Sequence, residues 1–191
     1  PAAVLSAGEL LANGRNGLPG MGDLMIVDVG GATTDIHSYA EHTTHEGARY
    51  VGAVEPYVKR TVEGDLGMRE SSDTLFAEVG MDVFSGRVDA SEQQIRQSIS
   101  RRVANTNYLP DSDYEIEIDN IIATHCGRLA ARRHSGKIER VLTSKNTNRI
   151  QIGKNLTRIR TIIGTGGVVV NNSNPSRLLE SALADRSAEP N

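Results

Sequence analysis

The densest chemistry in the chain lies in Ile26-Val27-Asp28-Val29-Gly30-Gly31-Ala32-Thr33-Thr34-Asp35. A polyphosphate crowds several negative charges together. A protein grips it by aiming backbone N–H groups inward from a turn bare of side chains. Gly30 and Gly31 supply that turn, and Thr33 and Thr34 add hydroxyl donors. Asp28 closes an apolar run and would be repelled by phosphate unless a divalent cation stood between them. Magnesium, which keeps several of its waters, is the natural bridge, so Asp28 is the expected metal-holding and catalytic carboxylate. Asp35 is the second expected catalytic residue, orienting the turn or an attacking water. The same Asp-x-Gly-Gly pattern is ordinary hairpin chemistry, and a plain turn competes on equal terms. No Gly-Lys-Ser/Thr follows, so this is not a Walker loop. A strand rather than a helix is expected after the glycines, which argues against a dinucleotide fingerprint.

A second motif repeats the theme. The apolar Ile162-Ile163 runs into Gly164-Thr165-Gly166-Gly167, where a backbone free of side chains lets a flat base or ribose come close. Alone, this stretch reads equally as a strand-to-helix connection. Other reactive residues point elsewhere. Cys126, the single cysteine, falls in an apolar helical stripe and is expected as a buried structural thiol. His37, His42 and His45 sit near a hairpin turn with no cysteine beside them and are expected as surface histidines rather than a zinc site. Arg128, Arg132, Arg133 and His134 end a helix, where positive charge is favourable in itself.

The elements that must position these motifs are legible from periodicity. Residues 2–12 suit an Ala-rich helix, and the glycine-rich stretch 14–22 suits a loop. Strands are expected over the apolar run 24–27 ending at Asp28, over 34–39 and over 49–55, joined by short turns as an antiparallel meander. Helices are expected over 73–79, 91–105 with Ser91 as N-cap, and 119–134. Strands follow at 137–142 and 158–163, with a polar loop at 143–148 between them. A helix is expected over 175–184, and the tail 185–191 is expected to fray. The fold class is thus α/β with a mixed sheet and flanking helices. Residues 1–56 and 115–191 form one lobe, and 57–114 an inserted helical subdomain.

Composition bounds the function. In 191 residues the hydrophobic share is 38% and the charged share 24%, which fits a folded core. The net charge of −3 offers no electrostatic grip on nucleic acid or acidic lipid. There is no run of about 18 apolar residues to span a membrane. One cysteine suits a reducing compartment, and a cytoplasmic location is expected.

Taken together, the two glycine motifs resemble the superfamily of actin, the heat-shock chaperone ATPases and sugar kinases. Gly22 through Ser38 is similar to the MutL/GlmL family, accessory proteins of glutamate mutase and related cobalamin-dependent aminomutases. Glu55-Pro56-Tyr57-Val58-Lys59-Arg60-Thr61-Val62-Glu63-Gly64-Asp65-Leu66-Gly67-Met68-Arg69 and Ile163-Gly164-Thr165-Gly166-Gly167 carry the same resemblance. It implies an actin-like (ribonuclease H-like) ATPase lobe within a reactivating or chaperone-like factor that uses ATP to remodel a mutase. The implied partners are mutase subunits and ATP/ADP, with magnesium. Asp28 would lie near the metal, Gly30, Gly31, Thr33 and Thr34 near the phosphates, and Gly164, Thr165, Gly166 and Gly167 near the adenosine. Family members open with a further phosphate loop that does not precede Asp28 here, so the chain is expected to hold the second half of the fold and to hydrolyse ATP poorly alone. An actin-like small-molecule kinase and a non-catalytic nucleotide-binding module are the alternatives. Glu63, Asp65 and Arg69 remain open between a functional role and a solvated or ion-paired loop.

Overall fold

The computed structural model describes residues 2–142 and 147–183. Its centre is the strand β3 (Leu24–Val29), whose apolar run is buried on both faces. A tight turn returns the chain as β4 (Thr34–Tyr39), antiparallel to β3. β6 (Val58–Glu63) adds antiparallel to β4, and β9 (Thr161–Thr165) pairs parallel to β3 on the other side. The sheet order is therefore β6-β4-β3-β9. Helix α1 (Ala2–Asn13) runs directly into the short hairpin β1 (Gly14–Arg15) and β2 (Leu18–Pro19), after which Met21 and Gly22 N–H donate back to the Leu11 and Ala12 carbonyls.

Strand pleating sends alternate side chains to opposite faces. On one face Met25, Val27, Val29 and Ile36 meet Ile118, Ile121, Ile122 and Cys126 of the long helix α5 (Asp113–His134). Helices α2 (Ser72–Val79), α3 (Met81–Ser85) and α4 (Glu92–Ala104) extend the same core through Leu75, Phe84, Ile95 and Ile99. On the other face Leu24, Ile26 and Tyr39 are covered by α1. The Tyr39 hydroxyl donates to the Leu5 carbonyl at 2.8 Å. Gly8 is a glycine because a Cβ there would sit 2.3 Å from that hydroxyl.

Helix starts are explained locally. Ser91 and Gln94 form a reciprocal capping box at α4, and Ser112 accepts from the Glu115 N–H at α5. The chain then makes β7 (Lys137–Leu142) and β8 (Thr147–Ile152), and after β9 the short helices α6 (Gly167–Val170) and α7 (Pro175–Glu180).

The expected meander needs correction. Its third strand is β6, not residues 49–55. Of that stretch, β5 (Ala48–Tyr50) forms a separate three-stranded sheet with β8 and β7. Pro56 precedes a strand rather than ending one, because β6 starts two residues later and its backbone completes the β4 ladder. β6 thus opens the stretch 57–114, and the helices behind it share one core with the sheet. The helix expected over 175–184 ends at Glu180. Of the expected polar loop, 147–148 belong to β8, while 143–146 and the tail from 184 lie outside the described residues.

Candidate functional site

Strand register brings three expected site residues into one row. Asp28 stands opposite Asp35 on β4 and opposite Thr165 on β9. Paired positions share a sheet face, here the one that α1 covers only at its far end. The row lies at the carboxyl ends of the parallel strands β3 and β9, where α/β sheets hold ligands. Asp35 is neutralised by Arg60, whose Nε and Nη2 reach its Oδ1 at 2.8 and 2.5 Å. Thr33 donates to Asp35 Oδ2 at 3.3 Å. Asp28 is half-buried and pairs with no described cation. Burial, and then the charge of Asp35, hold its carboxyl above the usual range.

The turn beside this row has a definite polarity. Gly30 N–H donates to the Thr33 carbonyl at 2.8 Å, closing the turn. The carbonyls of Gly30, Gly31 and Ala32 are taken by the loop between β6 and α2. Met68 N–H donates to Gly30 O (3.0 Å), Arg69 N–H to Gly31 O (2.7 Å) and Ser71 Oγ to Ala32 O (2.8 Å). Gly67 makes this approach possible, since a Cβ there would fall 2.5 Å from the Ala32 carbonyl carbon. The N–H groups of Gly31, Ala32 and Thr33 donate to no described residue. Consecutive N–H groups left without a protein acceptor in a turn are the kind of backbone that can hold an anion, and Gly31 has open space where a Cβ would be.

The glycines and threonines of the two motifs do not share one job. Thr34 is fully buried, and its hydroxyl donates to the Leu66 carbonyl at 2.8 Å, so it fixes the clasping loop. Gly164 makes room for the packing of Leu179 and Val169, each within 2.7 Å of a hypothetical Cβ. Gly166 has a left-handed φ of +95° and lies against the Val29 carbonyl. Gly167, by contrast, faces open space. Gly31 and Gly167 are thus the motif glycines with open space at the Cβ position, while Thr33 and Thr165 are half-buried.

The remaining reactive residues find structural roles. Arg133 pairs with Glu63 and Asp65 at 2.8 Å each. Arg69 makes a bidentate pair with Asp119. His134 is buried between Thr61 Oγ1 and Ser38 Oγ, and burial pushes it down to about 3. Burial pushes the Cys126 thiol up to about 12, leaving it inert. His42 stacks edge-on against Tyr50, and His37 is 1% exposed rather than on the surface. Arg60 was not among the expected site residues. It stands opposite His37 in the β4–β6 ladder, on the same face as Asp35, and reaches that carboxylate diagonally.

Among the described residues no group of three or more His, Cys, Asp or Glu could hold a metal, so an ion at the row would rest on one or two carboxylates and its own waters. No helix among them is long and apolar enough to cross a membrane.

Comparison with known proteins adds the family. The family model described as MutL protein matches residues 1–191. The chain is 38% identical over 186 residues to Protein MutL of Clostridium tetanomorphum. That alignment covers 97% of this chain and 40% of the relative, so the chain spans about two-fifths of the curated relative's length. These matches correct several expectations. The attribution to a glutamate-mutase accessory or GlmL factor gives way to MutL alone, because neither description names a mutase, cobalamin or a reactivating or chaperone role. Cobalamin-dependent mutase subunits fall as partners for the same reason, and so does the small-molecule kinase alternative. The actin-like, ribonuclease H-like label is replaced by an α/β fold with a mixed four-stranded sheet, since the MutL descriptions carry no actin-like designation and the expected meander had the wrong third strand. The chain belongs to the MutL protein family.

Proposed function

We propose that this chain binds a magnesium–nucleoside triphosphate, with ATP as the ligand, at the β3–β4 turn, and that the whole protein hydrolyses its terminal phosphoanhydride. The observation that carries this is the pairing of opposites at one edge of the sheet. The free N–H groups of Gly31, Ala32 and Thr33 suit phosphate oxygens, and the unpaired carboxylate of Asp28 beside them suits a cation. Membership of the MutL family supports an ATP-using protein. Magnesium bound there would screen phosphate from carboxylate and draw charge from the reacting phosphoryl group.

The protein's own part is placement. Asp28 would hold the cation, and the turn's N–H groups would hold the phosphates. Asp35, fixed by Arg60 and Thr33, would orient a water towards the terminal phosphorus. That water would form the new P–O bond as the bridging P–O bond breaks, releasing nucleoside diphosphate and phosphate, with one of its protons kept on the phosphate and the other passing to solvent. A loose transition state of this kind needs positioning and charge more than a strong base, which fits an Asp35 already committed to an arginine. Thr165 and the Gly167 backbone would approach the nucleoside side. In this proposal residues 1–56 and 115–191 form the nucleotide-binding lobe and 57–114 an insertion whose first strand joins the lobe's sheet. The cytoplasm is the proposed location, matching a chain with a single thiol.

Amide NMR tests the proposal. Adding ATP with magnesium should shift the Gly31, Ala32 and Thr33 resonances first, and Asp28→Ala should abolish the magnesium dependence of that shift. Shifts confined to other surfaces would overturn it.

A further inference from the structure

The polarity of the turn has a mechanical origin outside the turn itself. In a trans peptide the carbonyl oxygen of one residue and the N–H of the next point in opposite directions. The carbonyls of Gly30, Gly31 and Ala32 are drawn into the 64–71 loop by Met68 N–H, Arg69 N–H and Ser71 Oγ. The N–H groups of Gly31, Ala32 and Thr33 are therefore turned away from that loop. Thr34 Oγ1, donating to Leu66 O, ties the far end of the same clasp.

The loop is in turn anchored to the helices. Arg69 is 9% exposed, and its guanidinium is spent on held partners: Asp119 at 3.1 and 2.9 Å, the Tyr108 carbonyl at 3.1 Å and the Met68 carbonyl at 2.7 Å. Asp119 is itself gripped by the fully buried Arg102, 2.8 Å away. The backbone N–H of Arg69 that holds Gly31 thus sits on a side chain bolted to α5. We infer that Arg69 and Ser71 are positioning residues of the anion turn, orienting its N–H groups through the carbonyls behind them without touching the ligand. This rests on the nucleotide reading above and adds what sets the geometry of that site.

The test titrates the chain with inorganic tripolyphosphate, with and without magnesium, and measures thermal stability alongside. Ser71→Ala removes, at a partly exposed position, a hydroxyl whose one proton is shared between the Ala32 carbonyl at 2.8 Å and the Gly64 carbonyl at 2.9 Å. It should weaken tripolyphosphate binding about fivefold, the effect of roughly one hydrogen bond, while leaving Tm nearly unchanged. Arg69→Lys keeps the charge but loses the bidentate grip and should weaken binding more. Glu115→Gln weakens the buried cluster at Arg102 Nη1 but leaves the Arg102 Nε–Asp119 and Asp119–Arg69 pairs that anchor the loop in place. It should lower Tm while leaving tripolyphosphate affinity intact. If affinity follows Tm across all three variants, or Ser71→Ala binds as tightly as the wild type, the positioning role is overturned while the site stands. If the wild type binds no tripolyphosphate, the nucleotide reading falls and the clasp falls with it. Should Arg69→Lys fail to fold, Ser71→Ala and Glu115→Gln still decide the matter.

Discussion

Asp28 and Asp35 oppose each other directly across β3 and β4, yet Arg60 neutralises only Asp35. Like charges on opposed residues destabilise a sheet, and burial adds to the strain on Asp28. On the proposed reading, a bound cation would relieve this opposition.

That arrangement has a stability signature. The folded-state pKa of Asp28 is raised, so its charge costs the fold stability at neutral pH. The stability tied to its protonated form is complete below the unfolded pKa and lost as pH rises through the folded value. Asp28→Asn should therefore stabilise the ligand-free chain at pH 7 by on the order of 0.2–1 kcal/mol, the range for an opposed cross-strand pair. The gain should vanish by about pH 3, below the ordinary carboxylate range. Denaturant melts at the two pH values measure it, and a loss of stability at pH 7 would contradict the strained pair.

Some of this was legible in the sequence and some was not, for reasons of range. The β3–β4 hairpin announced itself because a buried strand leaves a continuous apolar run and its turn needs glycine. β6 did not, because Val58-Lys59-Arg60-Thr61-Val62-Glu63 is charged, as an edge strand tolerates, and follows a proline. The first turns of α5 hid in Tyr114-Glu115-Ile116-Glu117-Ile118, whose alternation mimics a strand while Ser112 caps a helix. The glycine triplet could be seen but not sorted. Gly164 is demanded by Leu179, fifteen positions away, and Gly167 by nothing within reach. Only tertiary packing separates them. The hydroxyl of Thr34 was claimed by Leu66 in the same way.

His134 should set part of the acid limit of the fold. Burial first, then Lys59, Lys154 and His37, push it down to about 3, so it is neutral in the folded chain at pH 7. A depressed histidine contributes stability that is complete above its unfolded pKa of about 6.5 and is lost as pH falls through the window towards 3. His125, pushed down to about 4 by burial and Arg128, acts with the same sign. His134→Gln can keep a polar partner for Thr61 and Ser38 while removing the titration. Between pH 6 and 4 the wild type should lose up to roughly 1.4 kcal/mol per pH unit more than this variant. Parallel stability curves would show that His134 takes up its proton without strain.

The buried ion network should be intolerant of single losses. Arg102 is fully buried and satisfies Glu115, Asp119 and the Ser98 carbonyl at once. Arg102→Leu strands carboxylate charge in the core between α4 and α5 and should cost about 3–5 kcal/mol. Cys126 supplies the readout, since its buried thiol should react with a thiol reagent only through opening of the core. The variant should label much faster than the wild type under native conditions. Equal labelling rates would mean that Asp119 and Glu115 find other partners.

Two glycines of the candidate site should separate stability from binding. Gly166 combines a left-handed φ of +95° with a Cβ position 2.1 Å from the Val29 carbonyl oxygen. Gly166→Ala must therefore move β3 against the β9–α6 connection and should destabilise strongly. Gly31 has neither constraint, with open space around its Cβ position and no left-handed φ. Gly31→Ala should leave the ligand-free fold intact or stabilise it by about 0.4–1 kcal/mol, since alanine restricts the unfolded chain. The added methyl would nevertheless stand among the N–H groups of the turn and should weaken tripolyphosphate and ATP binding while Tm holds or rises. A fold-neutral Gly31→Ala that binds as well as the wild type would mean that the turn is a plain hairpin, and that its free N–H groups face water alone.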